Sequence, residues 1–169
     1  MPAQMQSPQE LFAHELSCMY VFEQQNVETL ELLAEEVTAA EARRPLEHHL
    51  AETREQVTLL EQCFQALGEQ PQQVTVHAAQ GLKQDHDAFV KLKPASELLT
   101  LYDLGAAAKT EHLEVAAYRG LVTKATLMGQ PEVARLLRAI LQQEEDAVKE
   151  LEAAATLLAE HALRQPATA

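Results

Sequence analysis

Four long stretches of this sequence carry apolar residues three or four positions apart, which is the spacing of one face of an α-helix. A tight turn separates the first stretch from the second, and another separates the third from the fourth, whereas a longer connection joins the second to the third. The predicted helices run from about Pro8 to Val37, through EHHLAETREQVTLLEQCFQAL to Gly68, from near Ser96 to Met128, and from the turn at Gly129–Pro131 to near His161.

Local signals mark the start of the first helix and the turn after it. Ser7, Pro8 and Glu10 supply a hydroxyl cap, a proline in the first turn and the carboxylate of a capping box. The segment TAAEARRP, residues 38–45, is predicted to turn the chain. Pro45 then belongs to the opening turn of the second helix, or kinks that helix slightly.

The long connection has a helix of its own. Residues 68–74, GEQPQQV, are a loop by composition, and residues 75–92 carry a shorter helical pattern that Pro94 ends. At the other end of the chain, the tail RQPATA is predicted to fray.

Two tight hairpins joined by one long crossover give the connectivity of a ferritin-like bundle. Composition agrees with helix, because Gly is 5 of 169 residues, aromatic residues are 4% and Trp is absent. The predicted fold is all-α: a ferritin-like four-helix bundle with a short extra helix in the crossover. One domain is expected over residues 1–169, with the core bundle at about 8–162.

The charge and hydropathy of the chain argue against several partners. A formal net charge of −13 disfavours nucleic acid and anionic membrane, which both need clustered Lys and Arg. No window approaches the roughly 18 uninterrupted apolar residues of a membrane helix, and the N-terminus has no leader pattern. A cytoplasmic location is therefore expected.

Carboxylates occupy positions that a bundle would bury. In AKTEHLEVAAYRGL, residues 108–121, Glu111 and Glu114 fall on the same helical stripe as Leu104 and Tyr118. Glu114 lies 15 residues before Gly129 and Glu144 lies 15 residues after it, so an antiparallel hairpin sets both at one height.

The first hairpin carries a matching pair. Glu23 and Glu52 are centred near Val37 and Thr38, where the first turn is expected, so they also share a height. Glu23 follows the apolar stripe of its helix, and Glu52 lies at the edge of one. Helical phase puts Glu55 on a solvated face and favours Gln56 as the inward neighbour.

Most helical Glu residues are solvated or pair with Lys or Arg one turn away. Five carboxylates at one level without an inward Lys or Arg could not stay ionised in a dry core, because each uncompensated charge costs at least several kcal/mol. Either cations neutralise them or the interior is wet. Ligation rich in oxygen suits Fe or Mn better than Zn or Cu, and two divalent ions would neutralise the cluster most simply.

The remaining candidates leave alternatives open. His49, one turn before Glu52, is a ligand, a hydrogen-bond donor to a carboxylate, or an ordinary surface or paired histidine. His112 lies beside the acidic stripe, where it would either bond to a metal ligand or lie on the helix surface. Tyr20 and Tyr118 are near the acidic level and are candidate hydrogen-bond or electron donors, with core packing as the alternative.

Four segments resemble, in order and spacing, the YciE/YciF-like family of ferritin-like stress-response proteins over roughly residues 8–155. The most specific are HLAETREQ and EHLEVAAY; ELFAHELSCMYVFEQQ and LLRAILQQEEDAVKEL are the others. The resemblance implies a rubrerythrin-related bundle with two metal ions, Fe before Mn, and a homodimer. By position, its metal-facing residues would be Glu23, Glu52, Gln56, Glu111, Glu114 and Glu144.

One departure from the wider ferritin-like pattern affects the expected chemistry. Where rubrerythrin-type helices carry Glu-x-x-His, this chain has Glu52-x-x-Glu55 and Glu144-x-x-Ala147. The expected function is a dimetal-carboxylate protein of oxidative or general stress that consumes peroxide or oxidises Fe(II), with peroxide or dioxygen as substrate. The alternative is a helical stress protein without enzymatic activity, which dimerises or binds a partner and holds metal only for stability or not at all.

Overall fold

A computed structural model describes residues 4–164, and within that range the chain forms five helices and no strand. This confirms the predicted all-α bundle with a short helix in its crossover. Single-domain organisation over residues 1–169 stays a prediction, and the tail expected to fray lies outside the described residues except for Arg164. The helices are α1 (Pro8–Glu36), α2 (Ala40–Leu67), α3 (His77–Val90), α4 (Ser96–Leu127) and α5 (Pro131–Arg164).

The predicted cap of α1 is present. The Ser7 hydroxyl accepts a hydrogen bond from the Glu10 amide at 3.1 Å, and the Glu10 carboxylate accepts one from the Ser7 amide at 3.2 Å. Each side chain thus satisfies a backbone donor that the helix leaves free. Pro8 occupies the first turn, as expected.

The predicted turn over residues 38–45 is wrong in extent. Helix α2 already begins at Ala40, so Pro45 lies inside the helix rather than in its opening turn. Ala, Glu and Arg are strong helix formers, and Ala42 and Leu46 are buried in the core. Their burial offsets the backbone hydrogen bond that Pro45 cannot donate.

The long helices pack as a ring of four. Helix α1 packs against α2 and α4, and α5 packs against the same two neighbours. The crossover therefore joins diagonally opposed helices, α2 and α4, and its helix α3 lies against α1 and α4. None of the described helices is long and apolar enough to cross a membrane.

The core is divided into two apolar clusters with a polar layer between them. One cluster includes Phe12, Leu16, Phe64 and Ile140, and the other includes Leu30. Every long helix crosses from one cluster to the other, so every long helix contributes to the layer between them. The buried polar residues of the layer are Glu23, Asn26, His49, Thr53, Gln56, Glu111, Glu114 and Glu144.

Candidate metal centre

Helices α1 and α4 face each other across the layer and supply three carboxylates. Glu23, Glu111 and Glu114 are all fully buried. The Tyr118 hydroxyl donates a short hydrogen bond to Glu23, and the Asn26 side-chain amide donates one to Glu114 at 3.3 Å. Each contact joins α1 to α4, so the polar layer also holds the two helices in register.

Helix α2 contributes a histidine and an amide. His49 is 1% exposed, and its Nε2 lies 2.7 Å from a carboxylate oxygen of Glu111. Gln56 is fully buried. Glu52 is partly exposed at the edge of the layer, with a carboxylate oxygen 3.7 Å from Nδ1 of His49. His49 therefore contacts carboxylates through both ring nitrogens.

Helix α5 completes the layer with Glu144, which is fully buried and lies 3.8 Å from Nε2 of His49. Ligand atoms of His49, Glu111, Glu114 and Glu144 all lie within 4.8 Å of one another. This spacing is close enough to hold a metal ion. The equal heights expected from the two hairpins agree with this arrangement.

Two sequence-based candidates lie elsewhere. Tyr20 donates a hydrogen bond to Glu61 at 3.0 Å and packs edge-on against Phe64, and both of these residues are on α2. His112 is exposed and bonds Glu152 at 2.8 Å, on the surface between α4 and α5. Neither side chain joins the cluster. For His112 the structure selects the helix-surface alternative, and for Tyr20 it gives packing against Phe64 in place of a role beside the carboxylates.

The other assignments by helical phase agree with the structure. Glu55 is exposed, where its carboxylate accepts from the Gln143 amide at 3.1 Å, and Gln56 points inward. Of the positions considered for His49, the structure shows the buried one. Tyr118 is buried beside the carboxylates.

Sequence reasoning missed Asn26 and Thr53. Asn26 is three residues after Glu23 and Thr53 four after His49, so helical spacing places each on the buried face beside a candidate that was identified. Thr53 bonds the backbone carbonyl of His49 at 2.9 Å. Their position one helical turn from a candidate ligand, on the same face, was the sequence signal that could have identified them.

Burial dominates the electrostatics of the layer. It raises the pKa of Glu114 and Glu144 well above the usual value, and the neighbouring carboxylates raise both pKa values further. Burial also raises the pKa of Glu23 to about 7, although the hydrogen bond from Tyr118 opposes the shift.

His49 and Glu111 behave as a pair. Burial alone would lower the pKa of His49, but the Glu111 carboxylate, 2.7 Å from Nε2, and the more distant Glu52 and Glu23 raise it to about 10. Burial alone would raise the pKa of Glu111, but His49 lowers it below the usual value. Without metal, the arrangement favours an ion pair between His49 and Glu111 and favours the protonated form of Glu114 and Glu144, while Glu23 changes its charge near pH 7.

Several buried polar atoms in the layer have no hydrogen-bond partner among residues 4–164: both side-chain oxygens of Glu144, one oxygen of Glu114, and both polar atoms of the Gln56 amide. Such atoms normally cost about 1–3 kcal/mol each when they are left unpaired. The carboxylate and imidazole groups of this layer lie close enough together to hold a metal ion.

The sequence profile of a family described as a domain of unknown function, DUF892, matches residues 7–164. The chain belongs to this family. Protein YciF of Escherichia coli K12 is 27% identical over 141 residues, which cover 83% of this chain and 85% of YciF. The resemblance to YciF-like proteins is thereby confirmed.

Solved structures agree with this membership of the DUF892 family. The structure of the E. coli stress protein YciF superimposes with a TM-score of 0.87 at 25% identity, covering 92% of this chain and 99% of that one. YcfI from Rhodopseudomonas palustris, described as a candidate structural protein, gives a TM-score of 0.85 at 29% identity, with 90% and 97% covered. A Xanthomonas campestris protein at 23% identity shares the fold, with a TM-score of 0.74 over 93% of this chain and 96% of that one.

The ligand pattern of this DUF892 member differs from paired Glu-x-x-His motifs. His49 precedes Glu52 by three residues, so α2 presents the histidine on the other side of its carboxylate. Helix α4 supplies two carboxylates, Glu111 and Glu114, whereas α5 has the buried Ala147 one turn after Glu144. The donors are therefore concentrated on α2 and α4.

Proposed function

We propose that this layer binds two divalent metal ions, with Fe preferred over Mn, and uses them in an oxidative or general stress response to consume peroxide or to oxidise Fe(II) with dioxygen. The observation that carries the proposal is the cluster of three fully buried carboxylates, Glu111, Glu114 and Glu144, with His49. A fourth fully buried carboxylate, Glu23, lies in the same layer. No Lys or Arg is buried among the described residues.

Charge supports two ions rather than one. With Glu52, the layer has five carboxylates, which amount to −5 when they are ionised. Two divalent ions contribute +4, so they leave a site close to neutral, whereas one ion would leave about −3 that protons would have to neutralise. Uncompensated buried charge costs several kcal/mol per group.

When bound, two Fe(II) ions that become Fe(III) would supply the two electrons that reduce one hydrogen peroxide, with two protons, to two waters. The side chains of this protein prepare the site for that chemistry. Tyr118 orients Glu23 through its hydrogen bond, and Asn26 orients Glu114. Deprotonated His49 offers a nitrogen ligand, and the apolar clusters on both sides of the layer exclude bulk water.

A cavity of about 360 Å³ between α1, α3 and α4 supports access for a small substrate. Its walls are mainly apolar and include Phe22, Leu30, Ala107 and Asn26. Since Asn26 also bonds Glu114, this residue separates the cavity from the carboxylates. Dioxygen and peroxide are small enough to use such a route.

The second candidate function is structural, and Ala147 favours it. Because α5 offers Glu144 but no second donor one turn later, one ion would be weakly held and turnover slow or absent. In that case the protein acts in stress as a helical partner-binding protein or homodimer. The homodimer itself rests on the family resemblance and stays a prediction.

The experiment that tests the proposed site replaces buried carboxylates by amides of the same shape. Glu114→Gln and Glu144→Gln should each lower bound Fe or Mn by at least tenfold in affinity, since each removes a charge and a ligand oxygen. Glu55→Gln is the matched control, because Glu55 lies exposed on the same bundle. Metal content is measured by elemental analysis after loading, and peroxide consumption and Fe(II) oxidation are then assayed.

Equal metal content in all three variants and the parent would contradict the metal site. Normal metal binding by the parent without measurable peroxide or Fe(II) turnover would instead favour the structural function. The two results separate the presence of metal from the chemistry proposed for it.

A further inference from the structure

A second group of ligand-type side chains lies outside the polar layer. Glu36 at the end of α1, His86 on α3 and Asp103 on α4 converge from three helices. Nε2 of His86 lies 3.0 Å from Glu36 and 3.3 Å from Asp103, and one ligand atom from each residue falls within 4.8 Å of the others. None of the three is a ligand in the proposed redox site, although His86 also lines the cavity proposed above for substrate access.

The Asp103 carboxylate lacks hydrogen-bond donors in this group. It is fully buried, and neither of its carboxylate oxygens has a hydrogen-bond partner among residues 4–164. Nε2 of His86 carries at most one hydrogen, which it shares with Glu36. His86 therefore cannot satisfy both carboxylates, and a fully buried Asp without a partner is costly.

The group is separate from the polar layer. Glu36 lies 13 residues after Glu23 on α1, and Asp103 lies 8 residues before Glu111 on α4. A helix rises 1.5 Å per residue, so these intervals correspond to about 20 Å and about 12 Å. An ion bound at one group would not share ligands with the other.

We propose that Glu36, His86 and Asp103 form a second, mononuclear site for one first-row divalent cation. One imidazole nitrogen and two carboxylate oxygens are a donor set that such ions accept, Zn²⁺ among them. Glu36 is partly exposed, with a quarter of its side chain accessible, so solvent can complete the coordination. The fully buried Asp103 supplies the charge that the cation neutralises.

The site would fix the crossover helix to the bundle. His86 is the only buried residue of α3. Ala79 and Leu82 are only partly buried against the core, and Phe89 stacks on Tyr102 with ring centroids 3.9 Å apart. A cation shared by α1, α3 and α4 would therefore replace part of the apolar packing that α3 lacks. Binding should slow the local opening of α3.

The test uses Zn²⁺ as the probe in the full chain, with Glu114→Gln and Glu144→Gln present together to weaken the polar layer. In this background we expect about one Zn²⁺ per chain, and Asp103→Asn or Glu36→Gln should weaken its binding at least tenfold. Asp87→Asn is the matched control, because Asp87 is half-exposed and pairs with Lys83. It lies 3.7 Å from Nδ1 of His86, whereas the proposed ligand atom is Nε2. Equilibrium dialysis followed by elemental analysis gives the stoichiometry and affinity.

Hydrogen exchange supplies a second readout that does not depend on redox activity. Zn²⁺ should slow exchange across residues 77–90 in the background protein and in the Asp87 variant, but not in the Asp103 or Glu36 variants. The proposal is overturned if Asp103→Asn and Glu36→Gln bind Zn²⁺ like the background protein, or if Asp87→Asn loses it equally. Glu36→Gln alters a partly exposed position, so it remains informative if the Asp103 variant folds poorly. Loss of Zn²⁺ here leaves the proposed dimetal function untouched.

Discussion

The hydroxyl of Tyr118 is buried and donates a hydrogen bond to Glu23 across the interface of α1 and α4. The hydroxyl of Tyr20 makes a similar bond to Glu61, but at the surface. The two tyrosines thus offer the same chemistry in two environments. Water replaces the lost bond at the surface and cannot do so in the core.

Tyr118→Phe should therefore destabilise the protein by about 1–3 kcal/mol, the usual cost of leaving a buried polar group unpaired. Tyr20→Phe should change stability by less than about 0.5 kcal/mol. Denaturant unfolding of both variants measures the difference. Bound metal should remain in each, while peroxide or Fe(II) turnover falls only in Tyr118→Phe. Equal effects of the two substitutions would argue against a special role for the buried hydroxyl.

At the scale of elements, two glycines of the α4–α5 hairpin have different roles. Gly129 follows the last turn of α4 with φ of +68°, in the left-handed region that L side chains rarely adopt. The Gln130 backbone amide donates a hydrogen bond to the Ala125 carbonyl at 3.0 Å, which satisfies an acceptor at the end of the helix. Gly105 lies inside α4, and a Cβ there would meet no atom within 4 Å.

Gly129→Ala should cost about 1–2 kcal/mol, because the left-handed conformation is strained for alanine. Gly105→Ala should instead stabilise the protein by about 0.5–1 kcal/mol, since alanine loses less conformational freedom in a helix. The melting temperatures of the two variants should move in opposite directions. A loss of stability in both variants would contradict the free space that the structure shows around the Cβ position of Gly105.

For the whole molecule, the polar layer links stability to pH. Burial raises the pKa of Glu23 from its ordinary 4.5 to about 7, and Glu111 raises the pKa of His49 from 6.5 to about 10 against the opposing effect of burial. In both cases the folded state binds a proton that the unfolded state releases. Their contribution to stability is thus complete at low pH and is lost as pH rises.

The metal-free protein should accordingly lose stability from about pH 4.5 to 7 through Glu23 and from about 6.5 to 10 through His49. The raised pKa values of Glu114 and Glu144 add to the loss above about pH 4.5. One extra bound proton gives a slope of about 1.4 kcal/mol per pH unit at its steepest. Below pH 4.5 the lowered pKa of Glu111 acts in the opposite direction. Thermal unfolding with chelator between pH 5 and 9 measures the trend.

Fe or Mn should reverse this trend, because metal ions bind the deprotonated carboxylates and neutral His49. The rise in melting temperature on adding metal should be larger at pH 8 than at pH 5.5. Stability of the chelated protein that increases from pH 5 to 7 would contradict the electrostatics of the layer. Identical melting with and without chelator would count against metal binding itself.

The sequence alone determined the class of fold, the four long helices and the inward phase of Glu23, Glu111, Glu114, Glu144 and Gln56. Helical periodicity is a local property, and distance from a turn sets height in an antiparallel hairpin, so both can be derived without coordinates. The start of α2 could not, because the local signal predicts a turn up to Pro45, whereas the helix begins at Ala40 and buries Ala42 and Leu46.

Only the tertiary structure decided which of the candidate histidines are buried and which residues of different helices come into contact. Helical phase could not choose between interior and surface for His49 and His112, since each lies at the edge of a stripe, and packing of neighbouring helices buries one and exposes the other. The bond from Asn26 to Glu114 and the convergence of Glu36, His86 and Asp103 join residues far apart in sequence. Their distances depend on how the crossover lays α3 against α1 and α4, and no local pattern encodes that placement.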